Sequence, residues 1–246
     1  MNFWNKYGRY VKMLIYVAIY YVLMFTNASR LVMLPFENIL GIGKVGSAAY
    51  SIIGNVLIYS IIFCVSLFLI PDIYYLDFMI FKKKPIGKKL AEIGIGYGIV
   101  LGANLIGSLF TIIGGGGIDS ANESSIGAML SSYGAWAAYP VIVVIGPIVE
   151  ETVFRGVLQG TIIGSKFEKP NSPRVFAGII IPAILFGLIH VIDAGDYIQV
   201  IPYIFMGIGL GTVAYFSKGI GTSSIVHILN NLIATAAAIA IWMLVC

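Results

Sequence analysis

The chain has few charged residues for its length. Of its 246 residues, 11% are charged and 59% are hydrophobic, whereas about 25% of an ordinary soluble domain is charged. This deficit excludes an ordinary soluble domain and predicts a polytopic membrane protein. Basic residues are not interleaved with aromatic ones outside the apolar segments, so nucleic-acid binding is excluded as well.

Cysteine is scarce, and the common signatures of soluble hydrolases are missing. Cys64 and Cys246 lie in or at the end of apolar segments and have no metal-ligand spacing, which excludes a disulfide framework. The sequence has neither the His-Glu-x-x-His helix of zinc proteases nor a Gly-x-Ser-x-Gly nucleophile turn. No internal repeat is apparent either, although repeats are typical of many transporters.

What the chain does have is a series of apolar runs long enough to span a bilayer, which takes about 20 residues. They predict an all-α fold, a polytopic bundle of seven transmembrane helices. The fourth run is too long for one straight span and contains a Gly-Pro pair at Gly146 and Pro147, so an eighth span is an alternative. The runs are 11–28, 47–70, 91–113, 126–164, 175–192, 198–216 and 225–245.

Lysine and arginine are unevenly distributed between the two sides of the predicted bundle. With seven spans, only Arg30 and Lys44 fall on one side. Because cytoplasmic loops carry the excess of basic residues, the N-terminus is predicted to be cytoplasmic. The basic residues of the other side are Lys6, Arg9, Lys12, Lys82, Lys83, Lys84, Lys88, Lys89, Lys166, Lys169, Arg174 and Lys218.

Two of the apolar runs are rich in glycine, and together they contain Gly94, Gly96, Gly98 and Gly102 in one run and Gly207, Gly209 and Gly211 in the other. The strand-turn-helix context of a dinucleotide site is absent. Small residues allow transmembrane helices to approach closely, so these glycines predict helix packing.

An acidic motif, Glu150-Glu151 followed by Arg155, lies in the fourth run. Ionisable side chains in a bilayer cost roughly 2.5–3.5 kcal/mol each and are functional candidates by default. Glu151 and Arg155 are four residues apart on one helix face and are predicted to form an ion pair. Glu150 points elsewhere, so we assign it the chemical role, as the general base.

Both histidines of the chain also lie in apolar runs. A helix rises about 1.5 Å per residue, which puts Glu150 and His190 at similar depth on neighbouring helices, suited to act on one water. His227 and Asn231 share a helix face and could donate two hydrogen bonds to a developing oxyanion. The same count places His227 nearer the cytoplasmic end of its span than Glu150.

These residues resemble the CPBP family of intramembrane proteases, which includes the type II CAAX prenyl proteases and the bacterial Abi proteins linked to bacteriocin immunity. The resemblance rests on Glu-Glu-x-x-x-Arg, Phe-x-x-x-His and His-x-x-x-Asn in this order on separate helices, and covers roughly residues 126–245. It implies one integrated membrane domain, with N-terminal helices in residues 1–125 and a catalytic helix core in residues 126–246. The matching positions are Glu150, Glu151, Arg155, Phe186, His190, His227 and Asn231.

The resemblance implies an intramembrane endopeptidase in a bacterial plasma membrane. Its substrate would be a membrane-associated protein or peptide, such as a CAAX protein, a bacteriocin or a pheromone precursor. Glu150, His190, His227 and Asn231 would be catalytic, supported by Glu151, Arg155 and Phe186, with the lipid bilayer as a further partner.

Three alternatives stay open at the level of sequence. Members of the family have been described both as metalloproteases and as metal-free glutamate proteases. No cofactor is required by our interpretation, but a zinc site of His190, His227 and Glu150 has suitable ligand types. The other two alternatives are a non-catalytic immunity protein that binds a membrane peptide, and a proton-coupled transporter.

Overall fold

A computed structural model describes residues 3–25, 34, 47–69, 83–117, 139–164, 169, 171–192 and 195–245. All the regular structure within these ranges is helical, and none of it is strand. An apolar backbone segment in a bilayer must satisfy its own hydrogen bonds, and a helix does so within the segment. The predicted all-α bundle is therefore confirmed.

Six long helices account for most of the described part of the chain. Among the described residues, four stretches are long and apolar enough to cross a membrane. They are Ile86–Ile113, Pro173–Val191, Tyr197–Ser217 and Ile220–Ala237. Residues 126–138, which decide between seven and eight spans, lie outside the described residues, so that number stays a prediction. The helices are α1 Phe3–Phe25, α2 Ser47–Leu69, α3 Ile86–Ile113, α4 Pro173–Val191, α5 Val200–Ser217 and α6 Ile220–Val245.

The acidic motif lies on a further helix, which contains two wide turns. Its segments are π-helical Val141–Ile145, α-helical Gly146–Glu151, π-helical Thr152–Gln159 and α-helical Gly160–Ile163. They follow one another without interruption, and we call residues 141–163 the motif helix. The expected break at Pro147 is therefore a wide turn instead, a feature that is frequent at functional sites.

The motif helix lies between the other helices. The helices α4, α5 and α6 pack on it, α1 contacts its second half and α2 its first half. Close packing through glycine is confirmed on α5, where a Cβ on Gly207 would lie 2.8 Å from the Cα of Ala183. It is also confirmed at Gly96 of α3, where a Cβ would lie 3.1 Å from the Val213 and Val226 side chains. A Cβ on Gly94, Gly98 or Gly102 would meet no described atom within 4 Å, so close packing at these three stays a prediction.

Candidate active site

Glu151 is at the centre of a buried ionic cluster. Its Oε1 lies 3.3 Å from Nη1 of Arg155 and 3.1 Å from Nδ1 of His227, and its side chain is 0% exposed. The predicted ion pair between Glu151 and Arg155 is confirmed, and His227 is a second partner that the spacing did not predict. Because a carboxylate can only accept, Nδ1 of His227 carries a proton that it donates to Glu151.

Glu150 approaches the other nitrogen of the same imidazole. Its Oε2 lies 3.7 Å from Nε2 of His227, and its side chain is 21% exposed. His227 therefore lies between two carboxylates, of which Glu151 is sealed from solvent and Glu150 is accessible. This arrangement supports the division of labour expected from sequence, in which Glu150 meets the water and Glu151 holds the local geometry.

The expected difference in depth between His227 and Glu150 is wrong. His227 lies 3.7 Å from Glu150 and 3.1 Å from Glu151, which puts all three at one level. Helix α6 starts after a tight turn at Lys218, with φ of 61°, and its first turn is already packed in the bundle, with Ile220 and Ser223 buried. His227 follows two turns later and reaches the level of both glutamates.

The cluster carries one more negative charge than positive charge when His227 is neutral. Glu150 and Glu151 are balanced by a single guanidinium, that of Arg155, which also donates to the Gly207 carbonyl at 3.2 Å. Buried charges are tolerated when they are paired. A positive charge on His227 would make the cluster neutral.

His190 is held in one orientation by its neighbours. Its Nδ1 lies 2.7 Å from the Phe186 carbonyl oxygen, to which it donates, and its ring stacks on Tyr203 with centroids 4.5 Å apart. In the neutral ring, Nε2 is then the acceptor. No ion pair joins His190 to Glu150 in the described part of the chain, so their predicted cooperation requires a water or substrate between them.

Phe186 connects the two imidazoles. Its fully buried ring lies 4.4 Å from the His190 ring and 5.9 Å from the His227 ring, measured between centroids. The Arg155 guanidinium lies 4.8 Å from the centre of the same ring, a cation–π contact. The aromatic side chain thus fixes both rings and the cation by contact alone, in keeping with the supporting role predicted for it.

Asn231 binds the motif helix at its first wide turn. The Gly146 N–H donates to the Val141 carbonyl, five residues back. The next donor in that register would be Pro147, which has no N–H. The side-chain amide of Asn231 takes its place and donates to the Ile142 carbonyl at 3.2 Å. One amide hydrogen of Asn231 is thus bound to the backbone. The prediction that Asn231 donates to an oxyanion did not include this bond.

Gln159 is a buried polar residue that the sequence analysis missed. Its Nε2 donates to the Gly211 carbonyl at 2.8 Å, just as Arg155 donates to the Gly207 carbonyl one turn earlier on α5. The signal was present in the sequence, because Glu151, Arg155 and Gln159 recur at intervals of four. Arg155 and Gln159 attach the motif helix to α5, and Gly211 leaves room for the Gln159 side chain.

The described side chains do not fit the alternative zinc site. No group of three histidine, cysteine, aspartate or glutamate side chains among them is close enough together to hold a metal ion. Glu150 and His227 approach each other, but His190 does not join them as a third ligand.

Comparison with known proteins is consistent with this geometry. Residues 132–233 match the model of a family described as type II CAAX prenyl endopeptidase Rce1-like. The matched region includes the motif helix, α4, α5 and the part of α6 with His227 and Asn231, so the predicted resemblance is confirmed there. Over this region the chain is similar to CAAX-type membrane endopeptidases. No curated protein and no solved structure matches the chain significantly.

Proposed function

We propose that the protein is an intramembrane endopeptidase that hydrolyses a peptide bond in a membrane-associated protein or peptide. The observation that carries the proposal is His227 between the Glu150 and Glu151 carboxylates, with one of the two accessible. The similarity of residues 132–233 to CAAX-type endopeptidases supports the same reaction class.

In the proposed mechanism, Glu150 acts as the base and His227 carries the additional proton. Glu150 takes a proton from a water molecule, which His190 orients through Nε2, and the water oxygen attacks the carbonyl carbon of the substrate. The Nε2–H of His227 donates to the carbonyl oxygen as it becomes negative. The carbon–nitrogen bond then breaks, and Glu150 returns its proton to the leaving amine, which leaves a new carboxyl group and a new amino group.

The remaining residues hold this geometry. Glu151 fixes the orientation of His227 through Nδ1, and Arg155 compensates its charge. Asn231 keeps the first wide turn in place through the Ile142 carbonyl. We propose that its second amide hydrogen is directed to the substrate oxyanion, as expected from its position one turn after His227.

The experiment that tests the proposal is a comparison of membrane peptides. Cells that express the wild type or Glu150→Ala are compared by mass spectrometry of their membrane-associated peptides and proteins. We expect a substrate to be shortened only with the wild type. Identical peptide profiles, together with peptide binding that survives Glu150→Gln, would favour a binding protein over a peptidase.

We also propose a bacterial plasma membrane as the location, with the N-terminus in the cytoplasm. Basic residues from separate segments support this orientation, since they lie at one end of the bundle. The Arg9 guanidinium covers Gly164 at the end of the motif helix, and Lys84 donates to the Ser217 carbonyl at the end of α5. Reporter fusions at both termini test it: a seven-span chain places the termini on opposite sides of the membrane.

A further inference from the structure

Two tyrosines from the N-terminal helices reach the proposed site, although α1 and α2 lie outside the region that resembles the endopeptidases. Tyr59 of α2 lies over the first wide turn. A Cβ placed on Gly146 would be 3.9 Å from the Tyr59 hydroxyl oxygen. Gly146 precedes Glu150 by one helical turn, so this hydroxyl is on the side of the motif helix that carries the proposed base.

Tyr20 of α1 approaches from the other side. It is 4% exposed, and its ring meets the Phe154 ring edge-on with centroids 6.0 Å apart. The charge of Glu150 acts on the hydroxyls of both Tyr20 and Tyr59. The Tyr59 hydroxyl therefore lies beside the motif helix at Gly146, and the Tyr20 ring packs on the same helix at Phe154.

The hydroxyls of Tyr20 and Tyr59 make no hydrogen bond within the part of the chain that the structure describes. A buried tyrosine hydroxyl usually has a hydrogen-bond partner. Tyr16, one turn before Tyr20, follows this rule and donates to the Ile62 carbonyl at 3.3 Å. Neither Tyr20 nor Tyr59 makes such a bond to any residue that the structure describes, so both can donate to a group that enters beside Glu150.

Tyr59 is the better placed of the two to contact a substrate. Its side chain is only partly buried, whereas Tyr20 is buried. One amide hydrogen of Asn231 is already bound to the Ile142 carbonyl. Tyr59 can add a donor from outside the motif to those of His227 and Asn231.

We propose that Tyr59 is a further catalytic residue, which donates a hydrogen bond from its hydroxyl to the substrate carbonyl oxygen as that oxygen becomes negative. The proposal rests on the proposed endopeptidase function. Tyr59 keeps its proton throughout, so no bond to it is made or broken. Helix α2 is then a part of the active site and not only a membrane anchor.

The test compares Tyr59→Phe with Tyr16→Phe, a matched removal of one hydroxyl from a tyrosine that donates to the Ile62 carbonyl. The probe is a farnesylated peptide with a C-terminal CAAX sequence, cleaved by purified protein in lipid vesicles. Loss of one oxyanion donor typically lowers the rate about 10²–10³-fold. We expect that loss in kcat for Tyr59→Phe with KM little changed, and kcat close to wild type for Tyr16→Phe.

A second readout separates catalysis from structure. Two analogues of the peptide are used, one with a tetrahedral phosphinate at the scissile position and one with a planar ketomethylene. Tyr59→Phe should lose about 10²-fold in affinity for the phosphinate analogue only, because that analogue mimics the transition state. Equal losses for both analogues, or a lowered Tm with unchanged selectivity, would assign Tyr59 a structural role and overturn the proposal.

The outcomes also separate this inference from the function on which it rests. Cleavage by the wild type and an equal kcat for Tyr59→Phe would overturn the inference and leave the endopeptidase function standing. A wild type that neither cleaves the peptide nor binds either analogue would overturn both for this class of substrate.

Discussion

Two polar clusters of the bundle differ in how completely their charges are matched. At the end of α5, the Lys84 ammonium lies 2.6 Å from Oε2 of Glu92 and donates to the Ser217 carbonyl at 2.7 Å. The Thr222 hydroxyl donates to Oε2 of Glu92 at 3.3 Å. One cation faces one carboxylate. This end cluster, defined as Lys84, Glu92, Ser217 and Thr222, ties α3 to the turn between α5 and α6.

The buried cluster around His227 has no such balance. Two carboxylates face one guanidinium, and Oε2 of Glu151 is buried without a hydrogen-bond partner among the residues that the structure describes. An incompletely satisfied polar group in the interior lowers stability. The end cluster thus matches each of its charges, whereas the buried cluster has an accessible second carboxylate, which is the group that we propose as the base.

The largest contrast is expected between two substitutions of the same kind, one in each cluster. Glu150→Gln should lower kcat by about 10²–10⁴-fold, the usual contribution of a general base. It should not lower Tm, because it removes the unmatched charge. Glu92→Gln should leave kcat near that of the wild type. Turnover of a cleaved membrane peptide and thermal unfolding in detergent measure both, and equal kcat losses in the two variants would contradict the contrast.

The next largest effect concerns the matched part of the buried cluster. Glu151→Gln leaves Arg155 buried without a counter-charge, and breaking a buried pair typically costs about 3–5 kcal/mol. Arg155→Lys should also be impaired, because lysine lacks the planar fork that reaches Glu151 and the Gly207 carbonyl together. Both variants should lower Tm as well as kcat. Unchanged Tm values in both would mean that the ion pair does not stabilise the fold.

A smaller effect is expected at the first wide turn. Asn231→Ala should leave the Ile142 carbonyl unsatisfied, which costs about 1–3 kcal/mol. Pro147→Ala restores a backbone N–H, so the double variant should regain most of the lost Tm. Turnover that stays low in the stable double variant would assign Asn231 a contact with substrate. Turnover that returns with stability would limit Asn231 to holding the turn.

The smallest effect is expected for Lys84→Ala in the end cluster. The Lys84 and Glu92 side chains are 12% and 21% exposed, so their pair is partly screened by solvent. Such pairs contribute about 0–1 kcal/mol. We expect a small decrease in Tm and unchanged kcat. A large loss of turnover with an intact fold would show that this cluster acts on His227 through the start of α6.

The sequence predicted contacts within one helix, but it did not predict many of the contacts between helices. The apolar runs predicted helices, and the interval of four predicted the contact between Glu151 and Arg155. Spacing along the chain contains no distance between helices, so the approach of His227 to both glutamates was not predicted. The depth estimate also relied on counting residues along separate spans, and it did not predict that His227 reaches the level of both glutamates.

Other features could not be predicted because they depend on which neighbouring helix each face of a helix meets. Pro147 was expected to break the helix, but a wide turn and the Asn231 amide accommodate it. Gly94 and Gly98 were expected to pack against a helix, and their face of α3 meets no described neighbour. The proposed role of Tyr59 as a donor could not be predicted from the motifs. It follows from the packing of α2 against the motif helix.

The central claim is that Glu150 and His227 act as one catalytic unit, Glu150 on the attacking water and His227 on the developing oxyanion. A double-mutant cycle tests it most directly, with kcat measured for the wild type, Glu150→Gln, His227→Gln and the double variant on one substrate. Residues that act as a unit give strongly non-additive losses. We predict that the double variant is no slower than the slower single variant. If the two losses in kcat multiply instead, Glu150 and His227 act independently, and they do not form one catalytic unit.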